Sequence, residues 1–328
     1  MEWGLIFTTA LSQAIGPTAV VLCLGAIGLN IQFGYTGLLN FGQAAFLAVA
    51  GYGLATTVVT LGFSFWVGLL VGMAAVVVLA LLLGIPTLRL RADYLAIVTI
   101  AASEIVRLVL RSVVFKDTFG GSDGLQQFAE TFYNMNPIPV GVYEFGPFKY
   151  NEKSWFVIAV GWSLVALWSL LVFLLMRSPW GRVLRGIRED EDAVRSLGKN
   201  VYWFKMQSLI VGGLAGAFAG FMFAINQSAV SPDAYSTNIT FVIYTVLILG
   251  GAARVMGPIL GAILYLFLSQ FVDVALGNAV SSGTITFLDA AQAAQVRLVL
   301  VGVGLMLLMI YRPQGIIGDR KELALDAR

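Results

Sequence analysis

Apolar residues run in long windows along the chain, separated by short polar or glycine-rich punctuation. A helix needs about twenty predominantly apolar residues to cross a hydrocarbon core. Windows of that kind lie near 5–29, 40–59, 65–84, 94–111, 154–176, 201–226, 237–251, 257–276 and 294–311. Two interruptions blur the count. GYTGLLNFGQAAF at 34–46 is punctuated by glycine, and GGAARVMGP at 250–258 reads equally as a tight turn or as a break within one longer element. The pattern predicts an all-α, polytopic transmembrane helix bundle of eight to ten spans, about nine, forming a single membrane domain over 1–328.

Composition supports that reading. With 59% hydrophobic residues and a mean hydropathy of +0.86, the chain is too apolar to hide its greasy surface in one soluble core. The opening MEWGLIFTTALSQAIG lacks the basic stretch of a signal peptide and reads as a retained first span. The sequence contains no His and one cysteine, Cys23, which excludes intrachain disulfides and thiol-rich metal sites. No cofactor, metal or catalytic residue is expected. Basic patches interleaved with aromatics are missing too, so nucleic acid is not an expected partner.

Charge adds an orientation. Lys and Arg near span ends are retained on the cytoplasmic side. With the carboxyl terminus inside, that side holds Arg89, Arg91, Arg177, Arg182, Arg185, Arg188, Arg195, Lys199, Lys205, Arg254, Arg312, Arg320, Lys321 and Arg328. The outer side holds Arg111, Lys116, Lys149, Lys153 and Arg297, and Arg107 lies within a window. This asymmetry predicts an outside amino terminus, a cytoplasmic tail at 312–328 and a large external loop at 112–153.

The densest charge lies in RSPWGRVLRGIREDEDAVRSLGKN at 177–200, a segment where ten positions are ionised. Ser178 as N-cap, Pro179 at the first helical position and Gly198 as terminator predict one short helix. Arg185 with Glu189, Arg188 with Asp192, and Glu191 with Arg195 stand four apart and would brace it. Val183, Leu184, Ile187, Val194 and Leu197 would line one side. Such a rod serves either as a topology signal resting on anionic headgroups or as a surface for a protein partner. The acidic run Glu189, Asp190, Glu191, Asp192 would be repelled by headgroups and argues for the partner.

Polar residues inside apolar windows are costly and mark candidate sites. Asn30, Gln32, Tyr35, Asn40 and Gln43 bracket the glycine-rich segment. They border a solute path if the backbone bends there, or they bond neighbouring backbones where glycines allow close packing. Glu104 and Arg107, one turn apart in the fourth window, neutralise each other, and would also match a zwitterionic solute. Asp273 and the Asn226-Gln227 pair read as interfacial. Gly212, Gly216 and Gly220, every fourth residue, form a groove for a close helix neighbour, in this chain or in another. No convincing repeat relates the two halves.

SPWGRVLRGIREDEDAVRSLG at 178–198, GYTGLLNFGQAAFLAVAGY at 34–52, GGAARVMGPILGA at 250–262 and YRPQGIIG at 311–318 together resemble the permease subunits of branched-chain amino-acid ABC importers. The resemblance runs through nearly the whole chain. It implies that the charged loop carries a coupling helix docking into an ATP-binding subunit through Ile187, Arg188, Glu189, Asp190, Glu191, Asp192, Ala193 and Gly198. The permease pattern Glu-Ala-Ala-x-x-x-Gly is met by Asp192-Ala193-Val194 and Gly198, with Asp for Glu and Val for the second Ala. The resemblance further implies a prokaryotic plasma membrane, two ATP-binding subunits, a second related permease, and an extracytoplasmic solute-binding protein docking at 112–153. The chain lacks G-x-x-x-x-G-K-[ST], so ATP hydrolysis would come from separate polypeptides.

Other readings stand beside this one. A urea or amide importer permease would share the motifs. An ion-driven secondary transporter or channel acting alone would keep its coupling groups within the spans. A membrane anchor would have no path, and a membrane enzyme would have only Glu104 as a central general base.

Overall fold

The structure, a computed structural model, describes residues 3–89, 92–146, 148–281, 290–312 and 314–318. Arg91 and residues 319–328, and with them most of the expected tail, lie outside the described residues. The fold is an all-α membrane bundle with two small two-stranded sheets at one end.

The first expected span is two helices, α1 (Trp3–Ile15) and α2 (Pro17–Leu29), parted at Gly16. Pro17 explains the break: it has no N–H to continue the helix, and it pushes Gly16 into extended backbone at ψ 179°. The ends at Ile15 and Pro17 lie together near the 112–153 loop, where Trp162 donates to the Ile15 carbonyl and the Tyr150 hydroxyl to that of Ser12. One helix therefore reaches that end and the next leaves it.

α2 continues as a π-helix over Asn30–Tyr35, and the chain then runs non-helically to α3 (Gln43–Val59). α4 (Phe65–Thr87) and α5 (Ala92–Arg111) follow. The loop beyond α5 holds the short α6 (Lys116–Phe119), β1 (Leu125–Gln126), α7 (Glu130–Asn134) and a hairpin of β2 (Val142–Phe145) with β3 (Phe148–Asn151). α8 (Glu152–Arg177) crosses to the charged segment, which holds α9 (Pro179–Glu189) and α10 (Glu191–Ser196). α11 (Val201–Gln227) returns, and β4 (Ala229–Val230) pairs antiparallel with β1, tying the loop after α11 to the 112–153 loop. α12 (Thr237–Gly250), α13 (Gly257–Ser281) and α14 (Ala290–Tyr311) complete the bundle.

Among the described residues, five helices combine the length and apolarity to cross a membrane: Pro17–Tyr35, Phe65–Thr87, Glu152–Arg177, Val201–Gln227 and Gly257–Val280. α12, at 14 residues, rises only about 21 Å and cannot alone cross a core about 30 Å thick. The 250–258 segment is a tight turn between α12 and α13. Gly250 and Gly261 make it possible, because a Cβ on either would fall within 2 Å of a carbonyl oxygen of the facing helix.

α2 and α11 form the buried centre. A Cβ on Gly28 would meet the Gly212 carbonyl at 2.4 Å, and one on Gly212 would meet the Gly28 carbonyl at 2.5 Å. A Cβ on Gly216 would press on Gln43, and one on Gly220 would lie 2.2 Å from the Leu47 carbonyl. The neighbours of the glycine groove are thus α2 and α3 of this same chain. α4 by contrast turns Trp66, Leu70, Leu82 and Ile85 outward, all more than half exposed, as a surface bordering lipid or another apolar helix would.

Candidate functional site

At the end of the bundle opposite the 112–153 loop, the four sequence motifs meet. Asn30, on the π-helix, is the hub. Its Nδ2 donates to the Arg254 carbonyl at 2.9 Å and its Oδ1 accepts from the Ala253 amide at 2.8 Å, clasping the α12–α13 turn. Gly34 must be glycine there, since a Cβ would lie 2.0 Å from Asn30 Oδ1. The segment after α14 closes on the same turn. Ile316 and Ile317 donate their amides to the Leu249 and Gly250 carbonyls, satisfying orphan acceptors at the end of α12.

The non-helical stretch between Tyr35 and α3 is held by side chains. Gln32 donates to the Leu209 carbonyl at 3.1 Å and accepts from Asn40 Nδ2 at 2.7 Å. Asn40 in turn accepts from the Gly42 amide, and its carbonyl accepts from the Tyr244 hydroxyl. Gln43 reaches the Gly25 carbonyl at 3.4 Å, and Thr36 bonds the Ile31 carbonyl and Ser208. Asn30, Gln32, Asn40 and Gln43 are at most 1% exposed and Tyr35 4%. Asn30 bonds backbone through both ends of its amide, and Gln32 and Asn40 bond backbone and each other, as a break in a helix inside a low-dielectric bundle requires. Gln43 Oε1 is buried with no hydrogen-bond partner among the described residues.

The charged segment departs from the single expected helix. α9 ends at Glu189 because Asp190 adopts extended backbone, and the Asp190 carboxylate then caps α10 by accepting from the Asp192 and Ala193 amides at 2.9 and 3.0 Å. Ser178 turns its hydroxyl back to the Leu175 carbonyl and does not cap α9. Of the three anticipated ion pairs, Glu191 with Arg195 forms, at 2.8 Å. Arg185 donates instead to the Met176 carbonyl, and Arg188 Nη1 to the Gly34 carbonyl at 2.7 Å. Glu191 also holds Lys205 of α11, and Arg195 adds Asp192 at 2.8 Å.

The bend redistributes the apolar stripe as well. Leu184, Ile187 and Val194 are buried against the bundle, so Ile187 is turned away from any partner, whereas Leu197 is 79% exposed. Gly198, at φ +78°, terminates the segment. Beside α10 opens a cleft of about 430 Å³, with Arg89, Glu191, Arg195, Lys199, Asn200 and Tyr202 in its wall.

At the other end, Arg107 binds Glu104 through Nε at 3.0 Å and reaches Asp233 through Nη1 at 2.7 Å; Arg111 joins the same Asp233 oxygen at 3.3 Å. The sequence pairing of Glu104 with Arg107 is present, but it is one half of a four-charge cluster near the loop end of α5. Asp233 was not singled out in the sequence. Its one signal is an acid in a short loop facing two arginines on a neighbouring window. In the 112–153 loop, burial raises the Tyr133 and Tyr150 phenols above their ordinary range, partly countered by hydrogen bonding to Ser228 and Ser12.

The chain matches the family described as "Branched-chain amino acid transport system / permease component" over residues 15–310. It is 30% identical over 327 residues to the high-affinity branched-chain amino acid transport system permease protein LivM of Escherichia coli K12, covering 97% of this chain and 72% of that one. It is 24% identical to the probable branched-chain amino acid transport permease protein LivM of Methanocaldococcus jannaschii, covering 90% of each. A chain of PsaBC from Streptococcus pneumoniae, solved in complex with Fab, aligns at a TM-score of 0.43 with 13% identity, over 97% of this chain and 95% of that one. This multi-pass membrane protein, whose four motifs come together at one end of the bundle, belongs to the family of permease components of branched-chain amino-acid transport systems.

Proposed function

We propose that the chain carries branched-chain amino acids across a prokaryotic plasma membrane as one permease of an ATP-driven importer. One of two ATP-binding subunits docks at α9 and α10, through Glu189, Asp190, Asp192, Ala193, Leu197 and Gly198. A second related permease pairs with the bundle, and a solute-binding protein meets the 112–153 face outside. The end bearing 177–200 then faces the cytoplasm. The chain itself is non-catalytic and needs no cofactor.

The observation that carries this reading is the bond from Arg188 to the Gly34 carbonyl. A secondary transporter has no need to anchor a salt-laced external segment on its own broken helix. Here a push on α9 is delivered directly to the π-helix, and through Asn30 to the α12–α13 turn. Gln32 and Asn40 hold the break in register beside the solute path through their bonds to backbone and to each other.

The test is reconstitution. Proteoliposomes holding the complete complex should take up leucine, isoleucine or valine only with ATP and binding protein present. Uptake by this chain alone on an ion gradient would favour the secondary-transporter reading and defeat this one.

Arg188→Ala should lower uptake about tenfold while ATP hydrolysis persists, because a charge-assisted bond of about 1.5–3 kcal/mol no longer links the driven helix to the break. Lys restores part of it, as a point charge without the planar fork. The ratio of ATP hydrolysed to solute carried is the measurement, and an unchanged ratio in the Ala variant would remove Arg188 from the coupling route.

A further inference from the structure

The charge cluster near the loop end of α5 is built asymmetrically. Arg107 is only 16% exposed, and its Nε edge is held by both Glu104 oxygens at 3.0 and 3.1 Å. That leaves Nη1 aimed away from Glu104, and it meets Asp233 Oδ1 at 2.7 Å together with Arg111 Nη1 at 3.3 Å. Two guanidinium donors thus converge on one carboxylate oxygen. The carboxylate itself is the outermost member, 61% exposed, and it hangs on a four-residue 3-10 turn, Pro232–Tyr235.

Close by lie buried hydroxyls without partners. Tyr52, Tyr235 and Ser103 are 1%, 1% and 2% exposed, and none of their oxygens has a hydrogen-bond partner among the described residues. Tyr52 lies within electrostatic reach of Asp233, and its ring sits 6.2 Å from that of Tyr235, which belongs to the same turn as Asp233. Buried hydroxyls are bonded in nearly all proteins, so these three are free to bond a polar solute that reaches the turn. Without Asp233, the face of α5 carries Glu104, Arg107 and Arg111, a net charge of +1 in need of an anion.

We propose that Arg107 and Arg111 form a carboxylate-binding site, filled by Asp233 in this conformation and by the α-carboxylate of the transported amino acid once the Pro232–Tyr235 turn swings away. Asp233 is then an internal stand-in for the solute, and Glu104 is a positioning residue that holds Arg107 edge-on. Exchange of one carboxylate for another keeps both arginines compensated in the two states, which spares the cost of stranding a partly buried cation. The solute assignment rests on the amino-acid reading above; the anion site does not.

The experiment removes the stand-in from the complete purified complex. In Asp233→Ala, acetate should raise the melting temperature saturably, by about 3 °C, and the isosteric acetamide should not. The wild type should not respond, since its own carboxylate fills the site, and Asp233→Ala combined with Arg111→Gln should lose the response. If Asp233→Ala does not assemble, Asp233→Ser takes its place in the same titration. Equal effects of acetate and acetamide would overturn the site. In proteoliposomes, Arg111→Gln should raise the KM for leucine about tenfold. An unchanged KM beside a positive acetate response would overturn the role in solute handling. A wild-type complex that carries no amino acid would instead count against the proposed substrate, with the acetate result standing separately.

Discussion

Gly220→Leu is expected to abolish assembly of the bundle, with less than about a tenth of the protein recovered as a monodisperse species in mild detergent. The cause is backbone against backbone. A Cβ at 220 would lie 2.2 Å from the Leu47 carbonyl oxygen and 2.8 Å from its Cα, and neither atom can turn aside as a side chain could. α3 would have to move away from α11, opening the interface that also carries Gly216 against Gln43. Overpacking of a close-packed core costs about 1–3 kcal/mol even where rotamers can adjust, and here there is no rotamer to adjust. Gly216→Ala supplies the control. Its Cβ would meet the end of the Gln43 side chain at 2.6 Å, which can shift, so recovery should fall only modestly. Normal recovery of Gly220→Leu would show that the α3–α11 contact is looser than this packing implies.

The glycine spacing that announces this groove was fully legible in the chain, because a small residue every fourth position is a local pattern. What lines the other side was not, since Leu47 is far away in sequence. The same division runs through the rest of the molecule. The apolar windows located nearly all the long helices, and the Gly16-Pro17 dipeptide that splits the first window was itself a visible breaker, outweighed by the continuous run of apolar residues around it. The charged segment was visible as an exception to composition, but its bend at Asp190 turns on a choice between two local options. Asp190 can continue a helix or cap a new one, and in this structure it caps. The convergence of Asn30 on the 253–254 backbone spans more than two hundred residues of sequence, and no periodicity encodes it. The polar residues of 30–43 stood out because buried amides are costly. That cost says only that each finds a partner, and a carbonyl of a neighbouring helix meets it as well as a solute would.

The bend at Asp190 also decides which charges a partner can touch, and the second large effect follows from it. Glu191 is committed inward, held by Lys205, itself only 13% exposed, and by Arg195. Reversing Glu191 together with Asp192 would strand Lys205 and unsettle α11, so a loss of function there would mix damaged packing with damaged docking. Asp192 is 87% exposed and Leu197 79%, and both lie beyond the bend, on a helix pinned from beneath by Val194 against Gly186. On the proposed docking face Leu197 would serve as an anchor, because apolar side chains desolvated in a partner's pocket dominate interface energetics. Leu197→Asp with Asp192→Lys should therefore prevent the ATP-binding subunits from co-purifying and reduce ATP-driven uptake to below about a hundredth. A carboxylate forced into an apolar pocket costs far more than the lost contact. Insertion and melting temperature of the permease should be unchanged, because neither side chain supports the bundle. A variant that still co-purifies with active ATPases and transports normally would mean that the engine grips some other part of this face, and the exposed leucine would be left without a partner.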